Sequence, residues 1–539
     1  MSEVIWETLM DKVRGGLLVR THSGQVRPGE VFLALSGSRV DGSAFIAEAI
    51  DRKAGYVIAP AGYGVGAEGR KVDATMILEH ADPRGLLGEL AAMHHGTDQS
   101  CPLLVGVTGT NGKTTVVALI AHLLSVFGKK VGIIGTIGAH WPGGSHDLGM
   151  TTPDCWRLHR ILAEMREAGV THVCMEVSSH ALAQKRTAGL RFEVAVLTNV
   201  TQDHLDYHLD MESYFQAKAM LFAPNAGSAD SSGISGTRGT SGPRHRVINI
   251  DDPYGRRLFN MWGGLGYGFD PVAPEQKKTN LVSEPTAYLR GEILACGRSG
   301  LELRTHWESR TWTLRSTLVG RYNAANLLAA QGAGMCLGLK PDHQRVWDSF
   351  SGVPGRLERV LNVQGLDIFV DYAHTPDALD NVLGALRDVG FERLIVVFGC
   401  GGDRDRSKRP LMGQAVCRHA DIVVLTSDNP RHEEPEQILE DVLPGLSGCT
   451  MVLREVDRRV AIGRALELMR PGDALLVAGK GHEATQQIGP EYFPFHDPTV
   501  IRELLGESLG VLPPEHREVG EFRAQDDTGP SHRERVVCD

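Results

Sequence analysis

With 539 residues, 42% of them hydrophobic and 23% charged, and a net charge of −10, the chain has the make-up of a soluble globular protein long enough for three or four domains. The acid excess argues against a general nucleic-acid binder, and no apolar run reaches the length that spans a bilayer. The start Met1-Ser2-Glu3-Val4-Ile5-Trp6-Glu7 lacks the basic-then-apolar order of an export signal, so a cytoplasmic location is expected.

Residues 1–97 mix short elements, among them Val31-Phe32-Leu33-Ala34-Leu35 and Ala54-Gly55-Tyr56-Val57-Ile58-Ala59, and predict a small α/β domain. A second unit, 98–341, opens with the strand-like run Leu103-Leu104-Val105. A glycine-rich turn follows, Gly106-Val107-Thr108-Gly109-Thr110-Asn111-Gly112-Lys113-Thr114-Thr115, and then a helical apolar stripe from Val116 to Leu124. Strand, loop and helix in that order describe a phosphate loop: backbone N–H groups and the helix N-terminus face the anion, Lys113 adds a full charge, and Thr114 is placed to bind Mg²⁺. Val107 stands where the usual spacing has its first glycine, and Gly106 comes one residue early.

The unit continues with strands at Val131–Ile134, His172–Met175 and Val194–Leu197 and a helix around Trp156–Arg166, an alternation that implies a mostly parallel sheet covered on both faces. Residues 227–244, rich in Ser and Gly, read as a disordered insertion. Period-two alternation within 280–317 suggests an antiparallel excursion before a helix from Ala324 to Leu339. A third unit, 342–508, alternates again through Asp367–Val370, Leu394–Val397, Asp421–Leu425 and Ala474–Val477, a doubly wound, Rossmann-like domain. The tail 509–539 is expected to be mobile. Nine cysteines occur with no Cys-x-x-Cys pair and read as buried thiols rather than a zinc site or a disulfide framework.

Several polar residues fall where strands end. Glu176 closes an apolar strand and can reach Mg²⁺ or pair with a neighbour; His204 after the next strand can bind a metal or pack. Lys218 lies in a mostly apolar helix, where a lysine usually snorkels to the surface. Arg356 and Asp371 sit at the junction of the second and third units. The runs Gly401–Arg406, Asp428-Asn429-Pro430-Arg431 and Gly479-Lys480-Gly481-His482-Glu483 each follow a strand of the third unit and together make a pocket. Arg404 and Arg431 can fork onto carboxylates while Glu483 holds an ammonium group, an inventory that suits an amino acid with two carboxylates.

Taken in order, Thr108–Thr115, Glu176, Asn199–His204, Lys218, Asn323–Asn326, Gly355–Glu358 and Asp371–His374 resemble the motifs of the Mur ligase superfamily, and within it the UDP-N-acetylmuramoyl-tripeptide synthetases. The resemblance implies ATP-driven amide formation through an acyl phosphate, with Mg²⁺ as cofactor and Lys113, Glu176, His204 and Lys218 as the catalytic set. It implies metal binding by Thr114, Glu176, His204 and Lys218, the last as N6-carboxylysine, which reverses the surface reading of that lysine. Nucleotide contacts would come from Gly106 to Thr115 with Asn326, Arg356 and Asp371.

By the same route Ser23, Ser38, Arg39, Val40, Thr151, Thr152, Ser178, Gln184 and Arg186 would hold UDP-N-acetylmuramoyl-L-Ala-D-Glu. Arg404, Asp428, Asn429, Pro430, Arg431, Gly479 and Glu483 would hold meso-diaminopimelate. The chain departs from the family in reading His22-Ser23-Gly24 where Asp-Ser-Arg is usual, and Asp41-Gly42-Ser43 where Asp-Gly-His is common. A monomer without nucleic-acid or membrane partners is expected. The alternatives are a lysine-adding synthetase, a folylpolyglutamate synthetase, which resembles only the second and third units, and a nucleotide-dependent switch without ligase activity.

Overall fold

The computed structural model describes residues 2–37, 40–64, 69–224, 242–269, 287–340, 342 and 344–506; the expected insertion up to residue 241 and the tail beyond 506 lie outside them. Three main sheets organise the chain. The first has five strands, in the order Val19–Arg20, Val31–Leu33, Tyr56–Pro60, Thr75–His80, Arg70–Val72. Its helix Pro83–His95 starts on an Asp82 cap that accepts from Gly85 N and ends at the left-handed Gly96. That helix approaches the second unit closely, because a Cβ on Gly88 would collide with Ala188.

The second sheet has eleven strands. Seven run parallel, from Ala287–Gly297 through Leu265–Gly268, His245–Asn249, Phe192–Leu197, Leu103–Thr108 and His172–Glu176 to Val131–Gly135. The excursion read from period two is present as the antiparallel strands Gly300–Trp307 and Arg310–Ser316 added to Ala287–Gly297. Alternation along Leu103–Thr108 places Val105 and Val107 in one apolar core with Val116, Val117 and Leu119 of the helix Lys113–Val126. Leu104 falls in the core on the opposite face, with Leu158, Ile161 and Met165 of the helix Cys155–Glu167.

The third sheet has six strands, in the order Glu358–Arg359, Asp367–Asp371, Ala474–Ala478, Leu394–Phe398, Ile422–Leu425, Val452–Arg454. All but the first pairing are parallel. Leu394, Val396 and Phe398 face one core, Ile395 and Val397 the other, the pattern of a sheet covered on both faces. Loops at the carboxyl ends of these strands carry the polar runs picked out from the sequence, the position where ligands bind in open α/β sheets. Among the described residues no helix is long and apolar enough to cross a membrane.

The cysteine expectation needs correcting. Cys155, Cys174 and Cys400 are buried thiols, Cys101, Cys296 and Cys336 are half-buried, and Cys417 and Cys449 are joined in a disulfide. The pair is 32 residues apart, so local spacing gives no sign of it.

Candidate active site

The phosphate loop leaves the central strand at Thr108 and enters the helix at Lys113 through Gly109 and Gly112, both at positive φ. Neither glycine admits a side chain: a Cβ on Gly109 would strike Thr198 Oγ1, and one on Gly112 would lie 2.5 Å from Asn326 Oδ1. Gly106 and Val107 lie inside the strand, paired on both sides, so the ladder uses their backbone groups. The Phe192 ring fills the space a Cβ on Gly106 would need, 2.7 Å away, which explains the early glycine by packing.

The loop's rim is tied to the end of the neighbouring strand. Thr110 N donates to the Asn199 carbonyl (2.9 Å), Asn111 N to Asn199 Oδ1 (3.0 Å), and Thr198 Oγ1 to the Asn111 carbonyl (2.6 Å). With Thr110 and Asn111 so engaged, the N–H groups of the helix's first turn remain for an anion.

Two lysines converge on one carbonyl. Lys113 Nζ donates to Gly109 O (3.0 Å) and Thr110 O (2.8 Å), and Lys218 Nζ donates to Gly109 O (2.7 Å). Lys218 is 2% exposed and its ammonium lies 4.3 Å from the centre of the Tyr214 ring. Burial, then the neighbouring Lys113, push the Lys218 amine well below the usual lysine range. The surface reading of Lys218 is therefore wrong, since the helix Met211–Ala219 turns it inward. Burial also lowers Lys113, opposed by Glu176 and reinforced by Arg356.

Glu176 is buried; Oε1 accepts from Thr136 N (2.8 Å) and Oε2 from Thr136 Oγ1 (3.2 Å). Thr136 stands in no motif or polar run that would mark it from the sequence. His204 is at positive φ, its N–H donating to Asp203 Oδ1 (2.8 Å), with its ring 4.9 Å from His180. Among the described residues no three His, Cys, Asp or Glu side chains form a preformed metal cage. The Thr114 hydroxyl and Glu176 carboxylate are hard oxygen donors, which suits a Mg²⁺ shared with nucleotide phosphates rather than one held by protein alone. Lys218 offers an anionic oxygen only as a carbamate.

Asn323 and Asn326 are buried on the helix Arg321–Cys336, Asn326 Nδ2 donating to Asn323 Oδ1 (3.0 Å). Asp371 accepts from Leu357 N (2.6 Å) and Ala373 N (2.8 Å), and its carboxyl is raised by burial against the lowering effect of Arg356. The Arg356 guanidinium stacks 5.1 Å from the Tyr372 ring, and its Nε is buried without a partner.

Thr151, Thr152, Ser178, Gln184 and Arg186 belong to one network. Thr152 Oγ1 donates to the Glu176 carbonyl (2.9 Å) and accepts from Ser178 N (3.1 Å). Arg186 donates to the Thr152 carbonyl (2.7 Å) and to Gln184 Oε1 (2.8 Å), and Thr151 meets Thr136 through their hydroxyls (3.2 Å). Arg84 links the first sheet's helix to this network, donating to the Ser36 and Gln184 carbonyls (2.6 and 3.4 Å). Ser23 is buried with its hydroxyl on Glu48 (2.7 Å), Val40 is exposed, and Ser38 and Arg39 fall outside the described residues.

In the third unit Arg431, at positive φ, donates to the Gly402 carbonyl (2.6 Å), and a Cβ on Gly401 would lie between Arg431 and Arg404. Burial raises the Asp428 carboxyl, while Arg458 and Lys480 lower it. A Cβ on Gly479 would lie 2.5 Å from Asp428 Oδ2, an oxygen otherwise without a partner. Asn429 Nδ2 donates to Glu483 Oε2 (2.8 Å). Sequence reasoning passed over Arg458, fully buried, which bonds Asp497 and the Ser427 and Ala478 carbonyls, the residues just before Asp428 and Gly479. The two sites adjoin: the Tyr372 ring lies 5.1 Å from the Arg356 guanidinium and 5.1 Å from the His482 ring, and burial and Arg356 lower His482 while Glu483 and Glu176 raise it.

Residues 107–334 match the family model described as Mur ligase middle domain, and 355–481 the one described as Mur ligase, glutamate ligase domain. A UDP-N-acetylmuramoyl-L-alanyl-D-glutamate--2,6-diaminopimelate ligase of Lawsonia intracellularis is 47% identical over 91% of this chain and 96% of its own length. The protein of that name from Gloeobacter violaceus is 44% identical, covering 90% and 93%. A solved structure of the same name superposes with TM-score 0.61 at 32% identity, over 90% of this chain and 94% of its own. The MurF ligase of Thermotoga maritima in complex with ADP (19% identity, TM-score 0.55, 91% and 97% covered) shares the fold. So does the folylpolyglutamate synthase of Mycobacterium tuberculosis (18%, 0.57, 79% and 96% covered).

Proposed function

The chain belongs to the Mur ligase family of ATP-dependent ligases, and from that premise we propose that it joins meso-diaminopimelate to UDP-N-acetylmuramoyl-L-alanyl-D-glutamate in the cytoplasm. The glutamyl carboxylate attacks the γ-phosphorus of ATP, forming an acyl phosphate and releasing ADP. The amine of diaminopimelate then adds to the acyl carbon, phosphate leaves with one former carboxylate oxygen, and the nitrogen loses a proton.

Lys113 and the first-turn N–H groups of its helix stabilise charge on the transferring phosphoryl group. Thr114 and Glu176 would hold one Mg²⁺, His204 and carbamylated Lys218 a second; bound there, Mg²⁺ supplies charge neutralisation. Asn326, Arg356 and Asp371 orient the nucleotide, and the Thr152–Ser178–Arg186 network seats the muramoyl dipeptide. Arg404 and Arg431 face the amino acid's carboxylates and Glu483 its ammonium group.

The observation that carries this reading is the meeting of two chemistries: the Tyr372 ring lies 5.1 Å from the Arg356 guanidinium on one side and 5.1 Å from the His482 ring, next to Glu483 of the arginine-flanked pocket, on the other. On this reading the seat of the amine adjoins the place where the carboxylate is phosphorylated. Phosphate release with ATP, Mg²⁺ and the UDP-muramoyl dipeptide is expected with diaminopimelate and not with lysine. Equal turnover with lysine would overturn the substrate assignment, and release with a folate and glutamate would favour the folylpolyglutamate alternative.

A further inference from the structure

Lys480 follows the strand Ala474–Ala478 beneath the amino-acid pocket and is fully buried. A lysine in such a place must be matched by acceptors. Its Nζ donates to Asn429 Oδ1 (3.2 Å), Glu483 Oε2 (3.1 Å) and the Thr485 carbonyl (2.6 Å), which uses all three of its protons. Asn429 Oδ1 also accepts from Gln487 N (2.9 Å), so the amide is held from two sides and cannot flip. Its Nδ2 is thereby aimed at Glu483 Oε2 (2.8 Å). Both bonds to Glu483 end on that one oxygen, which leaves Oε1 for a ligand on a side chain that is 31% exposed.

Resting on the function proposed above, we propose that Lys480 is a positioning residue for the incoming amino acid. It presents one oxygen of Glu483 to the substrate's ammonium group and, through Asn429, fixes the loop Asp428–Arg431 that faces the substrate's carboxylates. Lys480 bonds Asn429, Glu483 and Thr485 and none of the residues assigned to the nucleotide or the muramoyl substrate, so its effect should be confined to one of three substrates. A lysine serving only to hold the fold together would affect all three.

The test is steady-state kinetics on the full-length chain with each substrate varied in turn, for Lys480→Met, Glu483→Gln and the double variant. Lys480→Met is expected to raise KM for diaminopimelate at least about 10-fold, the effect of one charged hydrogen bond, with KM for ATP and for the UDP-muramoyl dipeptide unchanged. Because part of the effect of Lys480 passes through Glu483, the double variant should fall short of the product of the two single effects. An unchanged KM for diaminopimelate, an equal rise in all three, or two effects that simply multiply would overturn the inference. Where Lys480→Met does not fold, Lys480→Gln, which keeps a donor and drops the charge, carries the same measurements. Wild-type protein that forms no amide with diaminopimelate would overturn the underlying reading and this one with it. Wild-type turnover beside an unaffected Lys480 variant overturns this one alone.

Discussion

Replacing Lys218 by Met keeps a long apolar side chain in a buried site and removes the nitrogen, which isolates what that nitrogen does. Lys113 Nζ and Lys218 Nζ lie 3.0 and 2.7 Å from the same carbonyl oxygen, so they are no farther apart than those distances laid end to end. At that separation an effective dielectric of about 20 gives roughly 3 kcal/mol of repulsion between two ammonium groups. Burial acts more strongly in the same direction, and both favour the neutral amine. The proposed carbamate forms when a neutral amine adds CO₂, the nitrogen losing a proton as the N–C bond forms, and it would turn the repulsion toward Lys113 into attraction. Lys218→Met should then lose about 10²- to 10³-fold in kcat, the range for one transition-state stabilising group. Carbon-13 CO₂ should give a carbamate resonance in wild-type protein that is absent from the variant. Wild-type kcat in Lys218→Met would refute the reasoning.

Arg431→Ala should cost about 10- to 150-fold in kcat/KM for diaminopimelate while changing it little for lysine, because only the former has a distal carboxylate to lose; this is read from competing amino acids in one assay. Burial pushes His159, bonded to Thr97 and the Ala188 carbonyl, down to about 4. Its ordinary value is near 6.5, so between those limits the unfolded chain binds the extra proton. Stability is then complete above pH about 6.5 and falls toward pH about 4, by up to about 1.4 kcal/mol per unit. Urea unfolding of His159→Gln should lack that share of the slope, His95, lowered likewise to about 4, keeping its own. Asp497→Asn leaves Arg458 buried without its counter-charge and should destabilise the C-terminal domain by about 3–5 kcal/mol, measured the same way.

The parallel sheets were legible because buried strands are written as continuous β-branched runs and their crossover helices as apolar stripes, as in Leu103–Thr108 followed by Lys113–Val126. The candidate site was legible wherever a polar residue interrupts such a run at a strand end, as Glu176 and Asp428 do. Lys218 was misread from its helix because burial depends on which way Met211–Ala219 faces, and its weak amphipathic pattern does not say. Thr136 and Arg458 stayed hidden for another reason. They act on residues 40 and 20 or more positions away, through bonds only the assembled sheets create. Gly106 reads in the sequence as part of a phosphate loop, whereas in the fold it lies within the strand, where the Phe192 ring of the next strand leaves no room for a side chain.

The central claim is that a carboxylate is phosphorylated at the loop Gly109–Thr115 before the amine arrives. Muramoyl dipeptide carrying oxygen-18 in its terminal glutamyl carboxylate, turned over with ATP and diaminopimelate, tests it directly by mass analysis of the released phosphate. The account expects one labelled oxygen in each phosphate formed; phosphate free of label, with amide still produced, would contradict it.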